Sequence, residues 1–212
     1  MKAISVLLRA IFGGVFIFSG FVKAVDPWGT AYKIEEYIYV FGMNWIVDSM
    51  PWISILLSII LCSLEFMIGV LIFFGFFPKL SKYSSVIIMA FFTVLTLIDA
   101  LTNKVDDCGC FGDAIKLTNW QTFWKNIVLD VLLAGIILIE RKMEFGVSKV
   151  NSKLLTSIFG VFILFFSIYS SVYEPVIDFR AWEVGNQMVP VGDDVTPPIS
   201  YAKYKNNSTG EV

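Results

Sequence analysis

The chain has 212 residues, 57% of them hydrophobic and 16% charged, with a mean hydropathy of +0.74 and a formal net charge of −2. That is too apolar for an ordinary soluble domain and points to membrane-spanning helices; no basic surface argues for nucleic acid. Histidine is absent, which removes the commonest acid–base catalyst and metal ligand and rules out a histidine-ligated haem.

In chain order, the apolar segments 4–24, 52–77, 83–101, 123–139 and 154–173 are each long enough to cross a bilayer, which takes roughly 17–25 helical residues. The first is long for a secretory signal and lacks a small-x-small cleavage site, so it reads as an uncleaved anchor. After it, Ala31, Ile34, Ile38 and Phe41 recur at three- and four-residue steps, with Lys33 and Glu36 elsewhere on the wheel. This predicts a short amphipathic helix around 29–42, lying on the membrane interface near the cysteine loop described below; the alternative is a plain connector dipping into the headgroups. Thr118 followed by Gln121 forms a capping box that would start the fourth long helix.

The expected fold is therefore an all-α membrane protein. A four-helix transmembrane bundle occupies 1–140, a loop and a fifth transmembrane helix occupy 141–173, and a short tail occupies 174–212. The tail carries Pro175, Pro190, Pro197 and Pro198 and ends in a polar run. It is either a simple tail or the start of a truncated soluble domain.

Lysine and arginine in short loops mark the cytoplasmic side. Lys2, then Lys79 and Lys82, then Arg141, Lys142, Lys149 and Lys153 fall at alternate helix ends. On the other side Lys33, Lys104 and Lys116 are mixed with Asp26, Glu35, Glu36, Asp48, Asp106, Asp107 and Asp113. The expectation is a multi-pass protein of a bacterial inner membrane, with a cytoplasmic amino terminus and a periplasmic cysteine loop and tail. Trp28, Trp45, Trp52, Trp120, Trp124 and Trp182 all fall at or beyond those outer ends, where indole rings prefer the headgroup level.

Ionisable side chains at membrane depth are costly and are functional candidates by default. Arg9, Glu65 and Asp130 lie inside the first, second and fourth segments; Asp99 ends the third, and Lys23 lies beside Asp26 at the end of the first. In one reading Arg9, Glu65 and Asp130 pair inside the bundle and fix helix register, most of all Arg9, which has no cheap neutral form. In the other, Glu65 or Asp130 carries protons for redox chemistry. Cys62 lies one turn before Glu65 and shares its face; its default role is a small apolar filler. As a relay for the cysteine loop it lies too deep, about 15 Å below Trp52 at 1.5 Å per residue, a gap that only a re-entrant loop would bridge.

That loop runs Asp106-Asp107-Cys108-Gly109-Cys110-Phe111-Gly112-Asp113. Cysteines two apart form a disulfide only if the backbone bends, because their Cα atoms must come to roughly 4.4–6.8 Å. Gly109 supplies that freedom and Gly112 a second bend. So small a ring is strained, and strained disulfides tend to be labile or catalytic; the equal alternative is an oxidised, inert loop that pins a turn. With three cysteines and no histidine, no zinc site is expected. Asp106, Asp107 and Asp113 disfavour a thiolate by like-charge repulsion, partly offset by Lys104 and Lys116.

Arg9, Gly13, Phe16, Ser19-Gly20, Lys23 and Asp26 in the first segment, with Glu65, Gly69 and Leu71 in the second, resemble the DoxX and MauE-like membrane proteins. The Cys108-Gly109-Cys110-Phe111-Gly112-Asp113 loop resembles the MauE branch in particular. The resemblance covers about residues 4–140. It implies a redox-associated four-helix bundle, similar in arrangement to membrane disulfide-forming proteins, that helps mature disulfide-bearing partners in the periplasm. Some relatives carry a thioredoxin-like domain after a further helix; the fifth helix fits that pattern, but no thioredoxin Cys-x-x-Cys is present here. Nothing in the residues supports methylamine metabolism itself.

Three functions are open at this point. The first is an inner-membrane thiol–disulfide oxidoreductase in which Cys108 and Cys110, supported by Gly109, Phe111, Gly112, Asp107 and Asp113, exchange electrons with a periplasmic thiol or disulfide protein of thioredoxin-like type. The second is a non-enzymatic scaffold or accessory subunit whose cysteine loop is a structural disulfide. The third is small-molecule binding in the bundle, a quinone for example, by Glu65, Asp130 and aromatic neighbours.

Overall fold

The computed structural model describes residues 2–103, 105, 109–113, 115, 117–140 and 149–173. Its elements are α1 (Lys2–Val25), α2 (Pro27–Val40), α3 (Asn44–Ser49), α4 (Ile53–Phe74), α5 (Pro78–Thr102), the four-residue extended segment β1 (Cys110–Asp113), α6 (Asn119–Glu140) and α7 (Lys149–Val172). The fold is all-α, with β1 the one extended element among the described residues. Five helices, α1, α4, α5, α6 and α7, are long and apolar enough to cross a membrane. The tail 174–212 lies outside the described residues.

The sequence pattern explains why α1 and α4 form the centre. On α1, Ser5, Arg9, Phe12, Phe16, Ser19 and Lys23 recur at alternating four- and three-residue steps, so they share one stripe, and all are buried. On α4, Ser58, Cys62, Glu65, Gly69 and Ile72 recur in the same way and are buried too. The two stripes face each other over the length of the helices. Between membrane helices there is no hydrophobic driving force, so association rests on close packing, which small residues permit. A Cβ on Gly20 would lie 2.4 Å from the Phe66 amide nitrogen and 2.9 Å from the Cys62 carbonyl oxygen, and one on Gly69 would lie 2.6 Å from the Ile17 nitrogen. The backbones touch at these points.

Around this seam, Phe12, Phe16, Ile68, Met89, Leu129 and Leu133 join α1, α4, α5 and α6 in one core cluster. Ala24, Cys62, Phe66, Val70 and Ile163 join α1, α4 and α7 in a second. α6 bridges α1 and α5, whereas α4 and α5, although consecutive, meet over only a short stretch.

The amphipathic helix expected at 29–42 is α2. It starts one residue after Asp26, whose carboxylate accepts a hydrogen bond from the Gly29 amide at 3.2 Å, with Pro27 in the first turn. Ala31 and Ile38 are buried, as the wheel requires, while Phe41 is half exposed. The capping box forms in both directions: Thr118 N donates to Gln121 Oε1 at 3.0 Å, and Gln121 N to Thr118 Oγ1 at 3.3 Å. α5 starts at Pro78 rather than at 83. Gly75 closes α4 in the left-handed conformation at φ +71°, and Pro78 begins the next helix at once, since a first-turn residue has no use for its missing N–H. Lys79 and Lys82 thereby become helical.

The glycine seam makes a clean prediction. Gly20→Ala forces two backbones apart and is expected to cost about 1–3 kcal/mol, the usual penalty of overpacking. Gly14→Ala, where a Cβ would meet nothing within 4 Å, is expected to leave stability unchanged or raised. Thermal unfolding of the two purified variants in one detergent checks the contrast.

Candidate functional site

The cysteine loop does not sit on top of the bundle. Ser19 Oγ donates to the Cys110 carbonyl oxygen at 2.6 Å, and Ser19 lies six residues before the end of α1 at Val25, about 9 Å down the helix axis. The Phe111 ring packs on Phe18 with centroids 5.7 Å apart, and the Lys125 ammonium lies 4.7 Å from the Phe111 centroid. β1 therefore enters the bundle alongside α1. Gly109 (φ +60°) and Gly112 (φ +53°) both take the left-handed conformation, and Gly112 N donates to the Gly109 carbonyl at 3.0 Å, so both bends expected from the glycines exist. The Lys33 side chain lies over Gly109, its Cγ 3.3 Å from where a Cβ would be. Cys108, Asp106 and Asp107 lie outside the described residues, as does the side chain of Asp113.

Beneath the loop is a buried ion pair. Lys23 Nζ lies 2.6 Å from Glu65 Oε2, with both side chains about 5% exposed. Ser19 Oγ is also 3.3 Å from Glu65 Oε1. A hydroxyl has one proton, and the shorter contact, to Cys110, takes the larger share. The Lys23 ammonium also lies 5.5 Å from the Phe92 ring centroid and within electrostatic range of both Cys110 and Cys62. One line of polar contacts thus runs from α4 through α1 to the backbone of the cysteine loop.

The pairing expected among Arg9, Glu65 and Asp130 is not what forms. Arg9 lies 14 residues before Lys23 on α1, about 21 Å along the axis, too far to share a partner with it. Arg9 instead donates to the carbonyls of Ile72 (2.9 Å) and Phe73 (3.4 Å) and lies 3.6 Å from Glu140. Glu140 also meets Lys82 at 2.7 Å and Ser5 at 3.2 Å. Asp130 accepts from Thr93 Oγ1 at 2.8 Å, between α5 and α6. Asp26 caps α2 and is not the partner of Lys23. Sequence reasoning named Ser19 only within the family-like pattern of the first segment and Lys82 only as a cytoplasmic charge, and it passed over Tyr37 and Glu140. For Ser19 the signal existed: it shares the α1 stripe with Lys23, four residues on.

α2 closes this end of the bundle through three contacts to three helices. Ser58 Oγ donates to the Pro27 carbonyl at 2.6 Å, Trp28 Nε1 to the Ser171 carbonyl at 2.9 Å, and the Tyr37 hydroxyl to Asp99. Under α2, between α4 and α5, lies a cavity of about 740 Å³ with almost wholly apolar walls. Lys23, Thr30, Lys33, Tyr37, Gly109 and Cys110 are the polar or loop residues that line it. Cys62 is fully buried beside the Gly20 backbone, with its sulfur 3.9 Å from Ser58 Oγ. Because β1 is re-entrant, the depth objection to a link between Cys62 and the loop no longer holds. Among the described residues no three His, Cys, Asp or Glu side chains gather into a metal-sized cluster.

Breaking a buried pair leaves an uncompensated charge, whereas replacing both partners by apolar groups often costs little. Lys23→Met and Glu65→Met are each expected to lose about 3–5 kcal/mol, and the double variant distinctly less than the sum. A double-mutant cycle on unfolding in mixed micelles reads this; simple additivity would mean that the pair carries no coupling.

Comparison with known proteins bears on the same region. The family model described as methylamine utilisation protein MauE matches residues 1–139, which takes in α1 to α5, β1 and nearly all of α6. Protein TlpB of Flavobacterium psychrophilum is 29% identical over 151 residues, which cover 69% of this chain and 38% of that protein. The chain thus spans well under half the length of that curated relative. No solved structure gives a significant match.

Proposed function

The chain belongs to the MauE family, and we propose that it acts as a thiol–disulfide redox protein of the bacterial inner membrane, with Cys108 and Cys110 as its working pair. The observation that carries this reading is the anchoring of Cys110. Its carbonyl is held by Ser19 against the Lys23–Glu65 pair, inside the bundle and beside a large cavity.

The chemistry is exchange. A thiolate of one protein attacks a disulfide sulfur of the other, a mixed disulfide forms, and the second thiol resolves it. Two electrons and two protons pass from the dithiol that is consumed to the one that is made. The partner in this reading is a periplasmic thiol or disulfide protein, of thioredoxin-like type. The lysine and arginine distribution supports a periplasmic side for α2 and β1 and a cytoplasmic one for the Arg9–Glu140 cluster. Gly109 and Gly112, both at positive φ, bend the loop, and Phe111, packed on Phe18, holds its far side.

The competing reading is a scaffold whose Cys108–Cys110 bond is structural, and the seat on Ser19 gives it some support, since a pinned loop is also a rigid one. Thiol trapping separates the two. In folded protein the pair is expected to be closed to maleimide before reduction and open after mild reduction without denaturant. Cys110→Ser is expected to accumulate a partner in mixed disulfide with Cys108, or Cys108→Ser with Cys110. If the pair opens only in denaturant, and Cys108→Ser/Cys110→Ser still assembles with its partners, the scaffold reading replaces ours.

A further inference from the structure

We propose that the cavity between α2, α4 and α5 binds a lipophilic quinone, whose ring reaches Lys23 and the cysteine loop and takes up the electrons of the cysteine pair. This rests on reading Cys108 and Cys110 as a redox pair. It differs from the site that Glu65 and Asp130 would suggest on sequence grounds: Asp130 is engaged with Thr93 between α5 and α6, and Glu65 is spent on Lys23 and Ser19.

Size comes first. At about 740 Å³ the cavity falls within the roughly 300–1,000 Å³ of small-molecule sites. It follows α4 from Leu57 to Leu64 and α5 from Ile98 back to Ala90, each stretch about 10–12 Å at 1.5 Å per residue. An apolar tail of several carbons fits along it.

Charge then narrows the choice of occupant. The cavity holds Lys23 and Lys33 among its walls, yet each ammonium is already paired, Lys23 with Glu65 at 2.6 Å and Lys33 with Glu36 at 3.1 Å. An anionic lipid headgroup would meet the carboxylate as well as the cation. A neutral carbonyl oxygen would not; it needs one N–H, and an ammonium has three, of which Glu65 takes one. Cys110 and Gly109 line the same cavity, so an oxidant bound there lies against the loop. An apolar body, neutral ring carbonyls and a capacity for two electrons together describe a quinone.

The step balances. Reduced Cys108 and Cys110 lose two electrons and two protons as the S–S bond forms. The two quinone carbonyls gain them and become the two hydroxyls of a quinol. The Lys23 ammonium stabilises negative charge on the nearer oxygen as electrons arrive. The chain would then oxidise partner dithiols and pass the electrons into the membrane.

The test uses the full chain in lipid nanodiscs and an azido-substituted 1,4-benzoquinone with a decyl tail. First, the Cys108→Ser/Cys110→Ser protein is photolabelled and mapped by mass spectrometry. Label is expected on Ile53–Phe74 and Pro78–Thr102, displaced by excess unlabelled decyl-benzoquinone but not by decylbenzene. Ala90→Trp and, from the opposite wall, Leu64→Trp fill the cavity and are each expected to lower labelling by about tenfold; Val131→Trp, on the exposed face of α6, is expected to change nothing. Second, reduced wild-type protein is mixed with decyl-benzoquinone and is expected to yield one quinol per disulfide formed, a rate that Ala90→Trp lowers while oxidation by diamide is unaffected.

Labelling spread over α6, or displaced equally by decylbenzene, would mean an acyl-chain groove and would overturn the site. Site-specific labelling without quinol formation, in protein that diamide does oxidise, would overturn the electron transfer. If diamide also fails to close the pair, it is the redox reading that falls, and the quinone site is judged on the labelling alone.

Discussion

The site depends on one buried contact, the Lys23–Glu65 ion pair. Two opposite charges withdrawn from water are tolerable only if they satisfy each other at close range, and at 2.6 Å these do. The consequence is geometric. Lys23 is on α1 and Glu65 on α4, so the pair fixes the relative height of the two central helices. Ser19, one turn below Lys23, touches Glu65 and holds the carbonyl of Cys110. The position of the cysteine loop is thus a function of the register of α1 on α4.

The glycines explain why that register is also close. Gly20 and Gly69 bring the two backbones into contact, and Lys23 lies one turn beyond Gly20, where the gap is narrow enough for a direct pair. Drawing α4 tightly onto α1 has a cost elsewhere. α5 cannot follow; it is held mainly by α6, and the space left between α4 and α5 becomes the cavity. The site and the packing seam are two results of the same small residues.

Much of this was legible in sequence. Lengths and hydropathy gave the five long helices, period gave α2, and Thr118 with Gln121 gave the start of α6, because each of these is decided by neighbours within one or two turns. What could not be read was which charges meet. Arg9, Lys23, Glu65, Asp130 and Glu140 are all visible as polar residues in apolar surroundings, yet pairing depends on relative helix height, which no local pattern encodes. Grouping Arg9 with Glu65 ignored a separation along α1 that simple counting from Lys23 reveals. The depth of the cysteine loop was hidden for the same reason: β1 lies beside α1 because one serine accommodates it there, and a serine in a membrane helix carries no such message by itself.

The two polar clusters on α1 now separate by chemistry. At one end Arg9 is enclosed by backbone carbonyls and Glu140, and the space beside it amounts to about 10 Å³, barely one water. The Arg9 guanidinium is directed at the protein's own carbonyls and carboxylate, which is how a structural clamp is built. At the other end Lys23 has a single carboxylate partner, an aromatic ring and a cavity of about 740 Å³. Both clusters solve the problem of charge at membrane depth, but only the second leaves room for a guest. A helix that needed its charges for register alone would have been served by two sites of the first kind.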